Sequence, residues 1–436
     1  MPLASNSFAT IWRRVLSNAQ FWAVNARLWA VNKRREFLDS TKNPFHGPRR
    51  YIDDAASNFA VFKKAAELYP HQLTTNESSG LRTKPFDRNR GHPTFFASMY
   101  AVLNMIQVMD LGPGATIVEV GSGAGWLTEI LLGLGYLVNA IEPSTAMVDE
   151  ARRRVRLFEE KTTLPVADSV RFVVSTLEEM DLAELRGGAH AILFHEAFHH
   201  VIDERKSLSN AFELLREDGC LGISGDSRWI PGKTAQGAAW DFWDKEMSRF
   251  GTLESPFTRE YLSYLPADAG FEEIQLHHGV NCFVPMENEH LPVWKVATAP
   301  ADCLNTVTAR RPLRCSRTVD VPSESSAAIA VKDVAILDPT ALLLTAQLTN
   351  TGNTAWPNRR VAGSGWVRVA LCKRDGNTGA PSREAGNRVP LTSVVLPGET
   401  IALHCVFETT GLVPPYELRM VAEDCFWFKQ RTEVAV

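Results

Sequence analysis

The chain of 436 residues is long enough for two or three domains. Its apolar fraction of 45% and charged fraction of 22% are those of an ordinary globular protein, and its formal net charge of −4 argues against a nucleic acid partner. Seven scattered cysteines without a C-x-x-C pair predict a reducing compartment and no bound metal. Because no apolar run approaches the ~18 residues of a membrane span, we expect a cytoplasmic protein.

The N-terminal segment carries an aromatic stripe at helical spacing. Phe8, Trp12, Trp22 and Trp29 belong to it, and no acidic residue precedes Glu36. We favour packing of this stripe on the protein's own core. The alternative is peripheral contact of residues 1–37 with the inner membrane. Residues 1–92 are interpreted as a helical extension that ends in a lid, with an ordinary surface loop as the other interpretation of 84–92.

The stretch 117–128 predicts a buried strand, a glycine turn and a helix. Gly121, Gly123 and Gly125 stand at alternate positions, and Glu119 precedes the first of them by two residues. Glycines let a ligand lie directly against the main chain, which predicts a nucleotide site. The spacing differs from the G-x-G-x-x-G turn of dinucleotide proteins. A carboxylate beside the turn would repel a pyrophosphate but suits a cationic ligand.

A second acidic position supports this interpretation. The next predicted strand ends at Glu142, where a carboxylate can accept hydrogen bonds from both ribose hydroxyls. The pattern Glu-x-Gly-x-Gly-x-Gly followed by Glu142-Pro143 resembles the first two motifs of class I S-adenosylmethionine-dependent methyltransferases. The resemblance implies S-adenosylmethionine as cofactor, bound by Glu119, Gly121, Gly123, Gly125, Glu142, Pro143, Thr176, Leu177 and His195. The family often has Asp at the position of Thr176, so adenine recognition is assigned to backbone groups near Leu177. A glycine turn without a ligand is the alternative.

The domain organisation follows from the order of predicted elements. Between residues 93 and 299 we predict strands 115–120, 136–141, 170–174, 189–194 and 219–225, and helices 126–134, 144–159, 178–185 and 204–216. This alternation predicts an α/β fold with a doubly wound, Rossmann-like sheet. Residues 300–326 have linker composition. Short alternating apolar runs over 327–436 predict an all-β sandwich.

The loop after the fourth strand contains the string H-E-x-x-H, from His195 to His199. A zinc protease needs both histidines on one face of a helix, whereas this string leaves a buried strand. We therefore favour a loop that faces the transferred methyl group. His199 or His200 is predicted to be the general base for a hydroxyl acceptor, since an unperturbed imidazole has a pKa near ~6.5. Glu196 is predicted to orient it or to bind the acceptor, and local loop hydrogen bonds are the alternative for each residue.

Weaker candidates for the acceptor cleft follow the fifth strand: Asp226, Arg228, Trp229, Trp240, Phe242 and Trp243. For the aromatic residues Trp240, Phe242 and Trp243, packing in the protein core is the favoured interpretation.

Several stretches resemble a subgroup of bacterial class I methyltransferases of cell-surface polysaccharide biosynthesis. They are 83–87, 119–126, 194–203 and 257–261, while 348–357, 396–399, 416–418 and 426–428 are similar to immunoglobulin-like domains appended to such enzymes. The resemblance implies O-methyl transfer to a hydroxyl of a sugar or glycan. A lipid or small-metabolite acceptor is one alternative, and a non-catalytic scaffold that recruits partners through the sandwich is another. Three roles are open for the sandwich: it binds glycan, docks a partner or only stabilises the enzyme. The sequence does not predict the oligomeric state.

Overall fold

The computed structural model of the protein describes residues 59–86, 92–183, 185, 188–227, 247–254, 257–278, 304–358, 366–373, 388–410, 412 and 414–435. The chain forms two compact units, of which the first comprises Met1–Met109 and Thr116–Arg311 and the second Asp110–Ala115 and Pro312–Val436. The predicted aromatic stripe of residues 1–37 lies outside the described residues. The same holds for residues 87–91 of the predicted lid and for the cleft candidates between residues 228 and 246.

A seven-stranded sheet forms the centre of the first unit. In chain order its strands are β1 (Thr116–Val120), β2 (Leu137–Glu142), β3 (Val170–Val174), β4 (Ala189–His195), β5 (Leu215–Ser227), β6 (Glu272–His278) and β7 (Leu304–Arg310). They lie in the order β3-β2-β1-β4-β5-β7-β6. Strands β1 to β5 pair in parallel, and β7 runs antiparallel to both of its neighbours. The order reverses between β1 and β4, which is where doubly wound sheets bind ligands. The predicted fold class is confirmed.

The helices of this unit are α1 (Phe59–Gln72), α2 (Thr75–Thr83), α3 (His92–Met109), α4 (Trp126–Gly133), α5 (Thr145–Thr162), α6 (Glu204–Leu214) and α7 (Arg259–Asp268). Of these, α2, α6 and α7 have an N-cap side chain that accepts a hydrogen bond from the first turn. Thr74 and Glu77 form a capping box at α2, and Asp203 accepts a hydrogen bond from the Lys206 amide at the start of α6, at 2.9 Å. Among the described residues no helix is long and apolar enough to cross a bilayer.

The core of the first unit lies on the central strands. Side chains of β1 and β4 are buried along almost their whole length, as expected for strands that are covered on both faces. Phe194, Ile223 and Leu208 are completely buried in one cluster, and Val307 and Ala309 of β7 belong to the same cluster. Strand β7 is therefore an integral part of this core.

Two predicted boundaries differ from the structure, each for its own reason. The structure places Leu304–Arg310 in the sheet, although these residues fall inside the predicted linker 300–326, and the first unit ends at Arg311 instead of residue 299. The predicted helix 204–216 ends at Leu214, because β5 begins at Leu215 with an irregular stretch that pairs with the start of β4.

The predicted helix 178–185 is also wrong, since residues 177–180 form a turn and no helix follows in the described part of this segment. The carboxylate of Glu178 accepts hydrogen bonds from the backbone amides of Ile202, at 3.0 Å, and Asp203, at 3.3 Å. Asn210 donates to the Leu177 carbonyl at 2.8 Å. The Leu177 carbonyl and the Glu178 carboxylate therefore bond to distant residues, and the segment does not form the hydrogen bonds of a helix.

The second unit is all β. Its strands are β8 (Ala327–Asp338), β9 (Ala341–Asn350), β10 (Val367–Lys373), β11 (Arg388–Pro390), β12 (Thr400–Glu408), β13 (Tyr416–Ala422) and β14 (Phe426–Val434). They form two antiparallel sheets, β11-β10-β13-β14 and β12-β9-β8. Leu344 from one sheet and Leu418 from the other meet in a single buried cluster around Trp356. The predicted sandwich is confirmed, while its immunoglobulin-like relationship stays a prediction.

The short segment Asp110–Ala115 also belongs to the second unit. The Gly112 amide donates to the Thr392 carbonyl at 3.0 Å, and the Asn358 side chain donates to the Asp110 carbonyl at 3.0 Å. The connection from α3 to β1 is therefore made of residues that cluster with the C-terminal sandwich.

Candidate active site

A cavity of about 260 Å³ lies beyond the carboxyl ends of β1, β2 and β4. Its floor is formed by residues that follow these strands: Gly121, Ser122, Gly123, Ala124, Glu142, Pro143, His195, Glu196 and Ala197. Its other walls come from α1, from α2 with Lys84, and from residues 252–254. The cavity thus occupies the position at which the strand order reverses, where this architecture binds ligands.

The glycine turn after β1 presents bare backbone to this cavity. Gly121 has φ of 73°, and an added β-carbon would lie 2.7 Å from the β-carbon of Ala197. A β-carbon on Gly125 would meet Ala151 at the same distance, whereas no atom lies within 4 Å of that position at Gly123. Close packing therefore requires glycine at both ends of the turn, and the middle of the turn is open to a ligand.

Glu142 is held in place by the main chain of the turn. Its two carboxylate oxygens accept hydrogen bonds from the amides of Gly123 and Ser144, each at 3.0 Å. Burial raises the pKa of Glu142 to about 7, although both amide hydrogen bonds act in the opposite direction. Each carboxylate oxygen has a further lone pair, so the side chain can still accept hydrogen bonds from two ligand hydroxyls.

Other predicted cofactor residues lie outside the cavity wall. Glu119 is buried and accepts a hydrogen bond from the Thr128 hydroxyl at 2.6 Å, and burial raises its pKa to about 8. Thr176 and Leu177 are buried as well, and the Leu177 carbonyl already accepts from Asn210. The structure therefore brings together Gly121, Gly123, Glu142, Pro143 and His195, whereas Glu119, Gly125, Thr176 and Leu177 do not line the cavity.

His195 is the last residue of β4 and lines the cavity. Its Nδ1 lies 2.7 Å from the Ser224 hydroxyl, while its Nε2 is buried and has no hydrogen-bond partner in the described part of the chain. The ring meets Trp126 edge-on with centroids 5.5 Å apart. Burial lowers the pKa of His195, which keeps the imidazole neutral at physiological pH.

Glu196 and Lys84 form an ion pair in the cavity wall. Glu196 adopts a φ of 52°, and its amide donates to the Ser224 carbonyl at 2.8 Å. Burial raises the pKa of Glu196, but the charge and hydrogen bond of Lys84 outweigh burial and lower it to about 2. The Lys84 ammonium also lies 5.0 Å from the centre of the Trp126 ring. The described part of the predicted lid therefore contributes a charged group to the cavity.

His199 and His200 lie together beside the cavity, in the short turn Phe198–His200. Nδ1 of His199 is 2.6 Å from the Asp226 carboxylate, and Nδ1 of His200 is 2.6 Å from the Leu253 carbonyl. The two ring centroids are 3.9 Å apart. Since His195 belongs to a strand and His199 to this turn, the H-E-x-x-H string lacks the helical geometry of a zinc protease.

Sequence reasoning missed Glu254. Its carboxylate lies 3.6 Å from Nε2 of His199 and 3.5 Å from Nδ1 of His200. Glu254 lines the cavity together with His200, but it follows a long segment without a recognisable motif, and no local pattern marks it. Asp226, which was a weaker candidate, is completely buried behind His199.

Comparisons with known proteins agree with this architecture. Residues 118–223 match the family model described as "Methyltransferase domain". A ubiquinone biosynthesis O-methyltransferase from Xanthomonas campestris pv. campestris is 26% identical over 154 residues, which cover 35% of this chain and 61% of that protein. An uncharacterized methyltransferase from Oceanobacillus iheyensis is 29% identical over 164 residues, which cover 37% of this chain and 68% of that protein. The chain thus spans about three fifths of the length of the first of these relatives.

A solved structure that aligns with this chain is the geranyl diphosphate C-methyltransferase from Streptomyces coelicolor A3(2). The alignment has a TM-score of 0.39 and 16% identity, and it covers 58% of this chain and 98% of that chain. Together, the family match, the strand order with one antiparallel strand, and the glycine turn followed by Glu142 identify a methyltransferase domain in the first unit. The cofactor of this domain is S-adenosylmethionine, as the sequence predicted.

Proposed function

We propose that the protein is an S-adenosylmethionine-dependent O-methyltransferase that methylates a hydroxyl of a sugar or glycan. The observation that carries this proposal is a single cavity in which the open glycine turn and Glu142 lie together with His195. A nucleoside donor and a deprotonating group are needed side by side for methyl transfer to oxygen.

The cofactor fits the groups on the floor of the cavity. Glu142 would accept hydrogen bonds from the ribose hydroxyls, and the backbone at Gly123 is open for close approach of the ligand. S-adenosylmethionine supplies an electrophilic methyl group on a positively charged sulfur.

We assign the general base to His195. His195 lines the cavity, and with Nδ1 donating to the Ser224 hydroxyl, Nε2 carries the lone pair that would take the proton of an acceptor hydroxyl. The sequence pointed to His199 or His200 for this role. Those two assignments stay predictions, but His199 does not line the cavity, and both rings are anchored to neighbouring groups.

The lining favours a polyhydroxylated acceptor. Charged and polar side chains of Lys84, Glu196, His200 and Glu254 can hydrogen-bond several hydroxyls, and Tyr69 and Trp126 offer aromatic surface. The names of two relatives, the ubiquinone biosynthesis O-methyltransferase and a protein-L-isoaspartate O-methyltransferase, support oxygen as the methylated atom. A lipid or small-metabolite acceptor remains the competing proposal, because Phe62, Leu81 and Leu253 also line the cavity.

The substitution His195→Asn tests the base. We expect turnover to fall by about 10²–10⁴-fold, since a positioned base contributes that much, while the Kd for S-adenosylmethionine changes little. Turnover would be measured by transfer of a labelled methyl group to a panel of nucleotide sugars, oligosaccharides and quinol lipids. The exposed His404→Asn in the second unit is the matched control. Full activity of the His195 variant would remove the base assignment, and label found only in lipid would contradict a sugar acceptor.

A further inference from the structure

We infer that His199, His200 and Glu254 form a binding site for one divalent transition-metal ion at the edge of the cavity. The potential ligand atoms of these three side chains lie within 4.8 Å of one another. Binding of the ion does not depend on the proposed function; only its role in the reaction rests on it.

The spacing is close to that of a metal site before the ion draws its ligands together. The Glu254 carboxylate lies 3.6 Å from Nε2 of His199, and the potential ligand atoms of all three residues lie within 4.8 Å of one another. For metal–ligand bonds of about 2.0–2.1 Å, tetrahedral ligand atoms stand about 3.4 Å apart. The three side chains therefore have to move closer together when they bind the ion.

The groups behind the two histidines match those behind metal-binding histidines. A histidine ligand usually donates its second ring nitrogen to a carboxylate or a backbone carbonyl, which fixes the ring and its tautomer. Nδ1 of His199 contacts Asp226 at 2.6 Å, and Nδ1 of His200 contacts the Leu253 carbonyl at 2.6 Å. In each ring this leaves Nε2 as the ligand atom.

Asp226 gives a second, independent indication. The residue is completely buried, and its Oδ2 has no hydrogen-bond partner among the described residues. The Oδ1 atom accepts a hydrogen bond from the His199 amide, but a buried carboxylate oxygen without a partner is costly, and positive charge nearby reduces that cost. A cation bound through His199 would supply such charge next to Asp226.

The donor set selects the kind of ion. Two imidazoles and one carboxylate favour zinc, cobalt, nickel or iron over magnesium and calcium, which prefer oxygen ligands. His200 and Glu254 line the cavity, so open coordination positions of the ion would face the acceptor. The ion would bind an oxygen of the acceptor and orient it, while His195 takes the proton of the reacting hydroxyl.

Titration of the metal-free full-length protein with Co²⁺ alone tests the site. We expect one ion per chain, with visible absorption bands of nitrogen and oxygen coordination and displacement by Zn²⁺. The nearly isosteric Glu254→Gln and the double change His199→Gln with His200→Gln should each weaken binding by at least about 100-fold. Asp226→Asn, which changes only the support of His199, should weaken it about 10–100-fold.

Controls separate this proposal from folding defects and from the proposed function. His404→Gln, in the second unit, should bind Co²⁺ like the unmodified protein, and circular dichroism of every variant reports its fold. The absence of stoichiometric Co²⁺ binding, or equal binding by folded Glu254→Gln, would overturn the metal site. Binding of S-adenosylmethionine to the metal-free protein is measured separately, so loss of cofactor binding with retained Co²⁺ binding would count against the proposed function alone.

Discussion

The carboxyl group of Glu142 connects burial to cofactor binding. Burial raises its pKa to about 7, from an ordinary value of 4.5, so the ligand-free side chain is protonated below neutral pH. Ribose hydroxyls donate hydrogen bonds to the ionised form, and a cationic sulfur nearby also favours it. Binding of S-adenosylmethionine should therefore lower this pKa and release a proton.

We expect the affinity for S-adenosylmethionine to fall as the pH drops below about 7. The loss approaches tenfold per pH unit where the free protein is protonated and the complex is not. Calorimetry in two buffers of different ionisation enthalpy would measure both the affinity and the released proton. Glu142→Gln should bind more weakly and without this pH dependence. Glu119→Gln is the matched control, because Glu119 is equally buried but does not line the cavity; a pH-independent affinity of the unmodified protein would contradict the argument.

Sequence reasoning found the residues of the site that follow local rules. Gly121, Gly123 and Glu142 sit at fixed positions after predicted strands, and all three line the cavity. Glu254 and the pairing of Lys84 with Glu196 depend on contacts between distant segments, which no local spacing reports. Glu119 fits the motif, but its side chain contacts Thr128 instead of the cavity. A motif thus predicts the path of the backbone better than the direction of each side chain.

At the scale of elements, helices α1 and α2 form one wall of the cavity. The carboxylate of Glu77 at the start of α2 accepts two hydrogen bonds from the Arg249 guanidinium, at 2.6 and 2.8 Å. Arg249 precedes residues 252–254, which line the same cavity. The Ser144 hydroxyl donates to the Glu67 carbonyl of α1 at 3.2 Å, so α1 is tied to the start of α5. These contacts fix the positions of α1 and α2 at the cavity.

Weakening the bond between α2 and Arg249 should speed release of the cofactor. For Glu77→Gln we expect the dissociation rate of S-adenosylmethionine to rise about two- to fivefold, the range of a partly exposed ion pair. Stopped-flow displacement would measure it. Glu67→Gln is the matched control, since the ion pair of Glu67 with Lys64 stays within α1. Equal rates for the two variants would show that α2 does not limit release.

Helices and strands were predicted close to their observed bounds where the local sequence pattern and the long-range contacts favour the same structure. Buried strands β1 and β4 and amphipathic α5 have strong local periodicity, and they are found close to their predicted bounds. The segment 178–185 has helical composition, but its polar groups bond to the loop after β4. Strand β7 lies beside the run Arg310-Arg311-Pro312, which gives the segment the composition of a linker. In both cases long-range partners decide the structure.

On the scale of the whole molecule, β7 moves the boundary between the units. A fragment 1–299 lacks β7, which pairs with β5 and β6 and contributes the completely buried Val307 and Ala309. Without it, β5 has an unpaired edge, which promotes aggregation. We expect fragment 1–311 to give more soluble protein than fragment 1–299, and only the longer one to show thermal stabilisation by S-adenosylmethionine.

The comparison is controlled internally, because both fragments lack residues 312–436 and differ only by the strand and its flanks. Similar solubility and similar stabilisation of both fragments would mean that β7 is dispensable. Soluble yield and the melting temperature with and without cofactor are the measurements.

The inclusion of Asp110–Ala115 in the second unit affects how the chain can fold during its synthesis. These residues leave the ribosome long before β8 to β14, yet their hydrogen-bond partners Thr392 and Asn358 are translated near the end. Until translation is almost complete, residues 110–115 between α3 and β1 therefore lack the hydrogen-bond partners that they have in the finished protein. A ribosome stalled before residue 358 would hold a chain in which these residues still lack those partners.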